Sequence, residues 1–153
     1  MITFEKSGVI GAPVEKVFAY LNDPAREPEY MPGVDEVKDI QRLPDGRYTY
    51  TEVNKFLGLH FDIKCEQTEV ITNERIVEKM HGGGMDGAVT FRFESLAGGK
   101  TRVSFVAGTT LHAGPVAKFS ESFLAKYFDH GTEMAMEAAK AHIEAEALAA
   151  THS

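Results

Sequence analysis

The C-terminal part of the chain holds a long amphipathic segment, residues 115–149, and this segment most constrains the fold. Ten of its residues recur at steps of three or four, which places them on one face of an α-helix. Pro115 suits the first position of that helix, because a proline there loses no hydrogen bond. A helix about 50 Å long cannot bury an apolar face against itself and needs a concave partner. The predicted buried face comprises Val116, Phe119, Phe123, Tyr127, Gly131, Met134, Ala138, Ala141, Ala145 and Leu148.

The two halves of this face differ in composition. From Phe119 to Met134 it is largely aromatic, whereas from Ala138 to Leu148 it is mostly alanine. We therefore expect close-packed scaffold at the alanine end and a wall that contacts ligand at the aromatic end. A thinner, partly apolar line on the reverse of the helix is expected to face solvent or a second subunit. That line comprises Ala125, Met136, Ile143 and Ala147.

The residues before this helix are predicted to form one strand, one or two short helices and then six strands. Residues 2–11 alternate loosely, residues 14–21 show helical spacing, and three prolines in residues 24–33 leave room for only a short second helix. From residue 34 onward apolar and polar side chains alternate between turns spaced roughly ten residues apart, which indicates an antiparallel meander. Such a sheet would curl around the long helix and leave a cavity where the straight helix and the curved sheet part.

The composition bounds the class of protein. A chain of 153 residues with 43% hydrophobic and 25% charged residues is typical of one globular domain, which we assign to residues 1–153. A net charge of −7 argues against nucleic acid as a partner. No apolar run is long enough to cross a bilayer, so we expect no integral membrane association. The single cysteine and the lack of an apolar signal core suit a cytoplasmic protein, either a monomer or a weak homodimer.

Residues 82–87, with the sequence GGGMDG, fit the pattern G-x-G-x-x-G of dinucleotide-binding proteins. That pattern must open a helix, whereas residues 88–94 alternate as a strand does. We therefore expect no dinucleotide, and no other cofactor. Two interpretations stay open: a plain flexible loop, or a mobile lip at the cavity mouth in which Met85 is an adaptable apolar contact.

No motif identifies a catalytic or metal site. None of the histidines has the spacing of a metal-binding motif, so no metal is predicted. His130 and Tyr127 are weak catalytic candidates, because His130 could act as a general acid or base. The alternatives are a histidine at the edge of the core and a tyrosine hydroxyl bonded to backbone or water. The six histidines are His60, His81, His112, His130, His142 and His152.

Two further groups are ambiguous. Cys65 lies on the apolar face of its predicted strand, which is more typical of a small core residue than of a nucleophile. Glu27 and Glu29 could form a carboxylate pair at the rim of the cavity. Most of the 23 acidic residues, however, are expected to be solvated.

Three stretches of the chain resemble one superfamily. Residues 12–24 (APVEKVFAYLNDP), 29–34 (EYMPGV) and 98–105 (GGKTRVSF) are similar to the START-like or Bet v 1-like (SRPBCC) superfamily, and within it to the polyketide cyclase/dehydrase and coenzyme-Q-binding branch. The resemblance covers nearly the whole chain. It implies an α+β helix-grip fold: a curved antiparallel sheet of about seven strands around a long C-terminal helix, with one or two short helices after the first strand. It also implies an apolar pocket, but no catalytic set common to the superfamily.

The predicted cavity wall combines inward-facing strand residues with the aromatic half of the long helix. Any one of these residues could instead be plain core. The predicted ligand-binding residues are Phe61, Ile63, Cys65, Met85, Val89, Phe91, Phe105, Ala107, Thr109, Phe119, Phe123, Tyr127, His130 and Met134.

Three functions fit these observations. The preferred one is binding or transport of an apolar small molecule, such as a lipid, an isoprenoid quinone or a polyketide-like chain. The alternative is an enzyme of the polyketide cyclase/dehydratase type that uses the same cavity, and the third is a module that binds a partner protein. No convergent set of titratable groups is visible in the sequence, which favours binding over catalysis.

Overall fold

The computed structural model describes residues 1–151 and confirms the predicted helix-grip architecture. A seven-stranded antiparallel sheet curves around the long C-terminal helix, and short helices follow the first strand. The strands are β1 (Ile2–Ile10), β2 (Val34–Arg42), β3 (Tyr48–Phe56), β4 (Leu59–Ile71), β5 (Arg75–Gly82), β6 (Met85–Leu96) and β7 (Lys100–Leu111). The α-helices are α1 (Val14–Leu21) and α2 (Glu121–Thr151), and Pro24–Glu29 and Pro115–Lys118 form 3₁₀ helices.

The sheet has the order β1-β7-β6-β5-β4-β3-β2, so strands β2 to β7 form a continuous meander and β1 joins its far edge beside β7. The pairing of β4 with β5 shifts register between Gln67 and Glu69, and that of β2 with β3 shifts between Lys38 and Gln41. Such bulges bend a strand and increase its twist. They give the sheet the concave face that α2 covers.

The long helix begins later than its sequence spacing predicts. The segment predicted as one helix from Pro115 is a 3₁₀ helix, Pro115–Lys118, followed by an extended residue, Phe119, and then α2. The Ser120 hydroxyl accepts a hydrogen bond of 3.1 Å from the backbone N–H of Phe123. Ser120 thereby caps the N-terminus of α2 by satisfying one of its free N–H groups, and this cap fixes where the helix begins.

The predicted buried face of α2 is wrong by about one residue. Leu124, Ala135, Ala139 and Ile143 are buried, and Ile143, predicted on the reverse side, is only 2% exposed. Several members of the predicted face are exposed instead. The exposed members include Phe123 at 42%, Tyr127 at 36%, Met134 at 46% and Leu148 at 61%.

The core has three parts. The largest lies at the alanine-rich end of α2, where Ile143 packs with Val17 of α1 and with Ile76 of the sheet. A second, at the other end, joins Leu124 to Val116, Phe56 and Ile2. The third lies on the middle of the sheet and comprises Val89, Phe105 and Ala107.

Candidate functional site

A cavity of about 430 Å³ lies between the concave face of the sheet and α2. Members of all three core clusters border it, including Ile10, Phe56 and Ala107. Its lining is mostly apolar, and its volume falls within the range of small-molecule binding pockets. The aromatic side chains of the sheet pack on one another here: the Phe91 and Phe105 ring centroids are 5.0 Å apart.

Most of the predicted ligand-binding residues line this cavity. Strands β4, β6 and β7 contribute alternate residues, because every second side chain of a strand points to the same face. Helix α2 contributes residues from its first half. The predicted residues that line the cavity are Phe61, Ile63, Met85, Val89, Phe91, Phe105, Ala107, Thr109, Tyr127, His130 and Met134.

Three predicted residues do not line it. Phe119 packs against Phe56, with ring centroids 5.3 Å apart, and Phe123 stacks on Phe119. Cys65 is buried in the sheet between Tyr50 and the β5 residue opposite it. Burial raises the pKa of the Cys65 thiol far above its usual range, which disfavours a thiolate nucleophile.

The weak catalytic candidates lie at the mouth of the cavity. Tyr127 packs on Phe56 with ring centroids 4.6 Å apart, and its neighbour His130, one turn further along α2, is exposed. Both residues border the opening, and neither side chain has a hydrogen-bond partner among residues 1–151.

The sequence predicts Glu27 at the rim of the cavity, but not the cluster of buried acids that it forms at the inner end. Glu27, Glu52 and Glu78 each line the cavity, and each is less than a tenth exposed. The 3₁₀ helix Pro24–Glu29 carries the first, β3 the second and β5 the third. The hydroxyl of Tyr50 donates a hydrogen bond of 3.0 Å to Glu78 Oε2.

A polar network holds the other side of this cluster. Gln67 contacts the Glu78 carboxyl, its Nε2 donates to Asn22 Oδ1 at 2.7 Å, and its Oε1 accepts from the Tyr48 backbone N–H at 2.9 Å. Gln67 is 1% exposed, and a buried amide of this kind is stable only when its polar atoms are paired. The network fixes Glu78 in position.

Burial changes the acidity of these groups. It raises the pKa of Glu27 well above its usual range, and the negative charge of the nearby Glu52 raises this pKa further. Burial also raises the pKa of Glu78 from 4.5 to about 7, although the bond from Tyr50 opposes the shift. The cavity therefore holds one acid, Glu78, whose pKa lies near neutral pH, and a second, Glu27, whose pKa is also raised.

The signal for two of these acids is present in the sequence. Glu78 alternates with Ile76 and Met80, and Glu52 alternates with Tyr50 and Phe56, so the period of two places both on the apolar face of the sheet. Glu27 carries no such signal, since it lies in an irregular, proline-rich segment. The predicted pairing of Glu27 with Glu29 does not form, because Glu29 points outward to Arg26, 3.0 Å away.

The glycine-rich segment is the tip of the β5–β6 hairpin. Gly83 and Gly84 have φ angles of 65° and 88°, which side-chain-bearing residues rarely adopt. The Gly84 Cα lies so close to Gly114 that a Cβ on Gly114 would approach it to 2.7 Å. Because β6 follows directly, the helix that a dinucleotide site requires is absent here.

The histidines do not converge on the cavity. His81 and His112 both pair with Asp86 on the opposite face of the sheet, the latter with Nε2 2.6 Å from Oδ2. Among residues 1–151, no group of three or more histidine, cysteine or acidic side chains is arranged to hold a metal ion. His152 lies outside the described residues. No helix in the described part is long and apolar enough to cross a bilayer.

The sequence matches the model of a known protein family over most of its length. A family model described as "Polyketide cyclase / dehydrase and lipid transport" matches residues 1–144. A comparison with curated proteins finds no sequence match.

Solved structures share the fold at low sequence identity. A START superfamily protein from Mycobacterium smegmatis superposes with a TM-score of 0.80 at 14% identity, over 93% of this chain and 97% of that one. A protein from Thermus thermophilus gives 0.80 at 16% identity, over 94% and 98%. The Zhui aromatase/cyclase from a Streptomyces species gives 0.74 at 14% identity, over 95% and 92%.

Proposed function

The chain belongs to the polyketide cyclase/dehydrase and lipid transport family, as its resemblance to the START-like superfamily predicted, and we propose that it binds or carries an apolar small molecule. The ligand occupies the cavity between the sheet and α2. The chemical classes that suit this cavity are a lipid, an isoprenoid quinone and a polyketide-like chain.

The observation that carries this proposal is the composition of the cavity. Its walls are mostly aromatic and aliphatic side chains that border an open space, such as Phe91, Phe105 and Met134. Apolar surface left uncovered inside a protein loses the free energy of burial, about 25 cal/mol for each Å². A ligand that covers these walls would recover that free energy, so an apolar body suits the site.

Native mass spectrometry of the purified protein tests the proposal. We expect a bound species that dissociates on denaturation and extracts into organic solvent. A panel of fatty alcohols, short-chain quinones and fused aromatic ketones, added to delipidated protein, should raise the melting temperature for at least one class. No bound species and no shift with any class would contradict the proposal.

An enzymatic role is the second candidate, and the buried acids are the observation that favours it. A cyclisation or dehydration of a polyketide-like chain needs one group to donate a proton to a carbonyl or hydroxyl oxygen and another to accept a proton from carbon. Glu27 in its protonated form supports the first task, and Glu78, whose pKa is about 7, supports the second near neutral pH.

The enzymatic role predicts turnover that depends on these acids. A poly-β-ketone thioester incubated with the protein should lose water or form a ring, and E78Q should slow this at least about a hundredfold. The control is E36Q, which removes an exposed carboxylate on β2. Turnover that E78Q leaves unchanged would contradict the role given to Glu78.

A further inference from the structure

We propose that the cavity selects a ligand whose polar end is a protonated amine, with the ammonium group held among Glu27, Glu52 and Glu78. This inference rests on the proposed function, since it names the chemistry of a ligand bound in the same cavity.

The charges at the inner end of the cavity are all of one sign. The titratable groups that line it are Glu27 and Tyr30 from the segment after α1, Tyr50 and Glu52 from β3 and Glu78 from β5. The neutral thiol of Cys65 lies buried beside them in the sheet. The basic groups along the cavity lining are Lys55 and His130, at the mouth, and Lys55 is paired with Asp35 at 3.1 Å. No cation of the described chain reaches the three carboxyls, so they lack the partner that buried acids normally have.

A second, independent feature points to a ligand at the same place. The Tyr30 side chain is 8% exposed and lines the cavity, yet its hydroxyl has no hydrogen-bond partner among residues 1–151. Among residues 1–151, every side-chain oxygen or nitrogen that is fully buried has a hydrogen-bond partner. The Tyr30 hydroxyl therefore opens onto the cavity. A buried phenol normally finds a partner, and a molecule bound in the cavity is placed to supply it.

An ammonium group satisfies these atoms better than the other polar ends of amphiphiles. It offers three donors and a positive charge, which match several carboxyl oxygens and the Tyr30 hydroxyl oxygen. A carboxylate or phosphate end would bring a like charge into a site of low polarity. A neutral hydroxyl offers a single donor and leaves the charge of the acids uncompensated.

Three probes with the same naphthalene body separate the possibilities: 2-(2-naphthyl)ethylamine, 2-(2-naphthyl)ethanol and 2-naphthylacetate, each titrated by calorimetry at pH 8.5. We expect the amine to bind at least about tenfold more tightly than the alcohol, and the acetate more weakly than both. Equal affinities of amine and alcohol, or tightest binding of the acetate, would overturn the inference. If none of the three binds, the proposed function itself fails, which is a different result.

The pH dependence separates the cavity from the acidic surface. At pH 5.5 exposed carboxylates stay ionised, whereas the buried carboxyls with raised pKa values gain protons. The advantage of the amine over the alcohol should therefore shrink at pH 5.5, and in E52Q/E78Q at pH 8.5, but not in E36Q. An advantage that persists in the double variant would mark surface binding and overturn the inference.

A variant of Tyr30 gives an independent readout. Y30F loses no hydrogen bond within the protein, so we expect an unchanged melting temperature together with amine binding weakened several-fold. Unchanged amine affinity in Y30F would overturn the inference.

Discussion

Glu78 shows how the position of one residue in the fold sets its acidity. Its place between Ile76 and Met80 puts it on the concave face of the sheet, where burial raises its pKa to about 7. The alternation in β5 predicts that face, but composition rules predict that an acid is solvated. The sequence therefore predicts the position of Glu78, but not its hydrogen bonds with Tyr50 and Gln67, because only pairing across the sheet brings these residues together.

The raised pKa of Glu78 predicts how stability varies with pH. Between pH 4.5 and pH 7 the folded protein holds a proton that the unfolded chain releases, so the free energy of unfolding falls as pH rises through this window. The contribution is about 3 kcal/mol for a shift of this size. Chemical denaturation should therefore find E78Q more stable than the natural protein at pH 8 and similar to it at pH 5.

The control for this measurement is again E36Q, whose effect should not change between the two pH values. If E78Q and the natural protein lose stability equally between pH 5 and pH 8, Glu78 does not carry the shift.

At the scale of the elements, the strands bury the face that their sequence pattern predicts, whereas the long helix buries a different face from the predicted one. Alternation in β4, β6 and β7 predicts most of the inward residues correctly, because a strand has two faces and only one is apolar. Helix α2 carries apolar or alanine residues around much of its circumference, so spacing alone defines two overlapping faces. Packing against α1 and β1 decides between them, and it selects the face of Leu124 and Ile143.

A pair of substitutions checks which face is buried. I143A should destabilise the protein by about 2–5 kcal/mol, because it leaves a void in the largest core cluster. L148A, on the face that the spacing predicts, should change stability by less than about 0.5 kcal/mol. Urea denaturation measures the free energy of unfolding of both variants. A larger loss of stability for L148A than for I143A would show that the face predicted from the spacing is the buried one.

The start of α2 is set by one hydroxyl. S120A removes the cap on the Phe123 N–H and should cost about 1 kcal/mol. S122A is the matched control, since Ser122 is an exposed serine close to the cap. Thermal unfolding curves should show a lower melting temperature for S120A but not for S122A. Equal melting temperatures of the two variants would show that Ser120 is not the cap.

At the scale of the whole molecule, the cavity follows from a geometric mismatch. A sheet bent by bulges cannot touch a straight helix along its length, and the order of elements is enough to predict a space between them. Its acidic inner end depends on Glu27, whose segment has no regular period, and on contacts between residues far apart in sequence. The location of the cavity was therefore predictable from the sequence, whereas its acidic inner end was not.

The central claim is that an apolar molecule binds between the sheet and α2. Ala107 lines the cavity, and the next residue back along β7, Val106, faces the opposite side of the sheet. A phenylalanine at position 107 would fill the space, whereas one at position 106 would extend away from it. The direct measurement is calorimetric titration of 2-(2-naphthyl)ethanol into the natural protein, A107F and V106F, with folding checked by circular dichroism. We predict binding to the natural protein and to V106F and none to A107F; equal affinity for all three would contradict the claim.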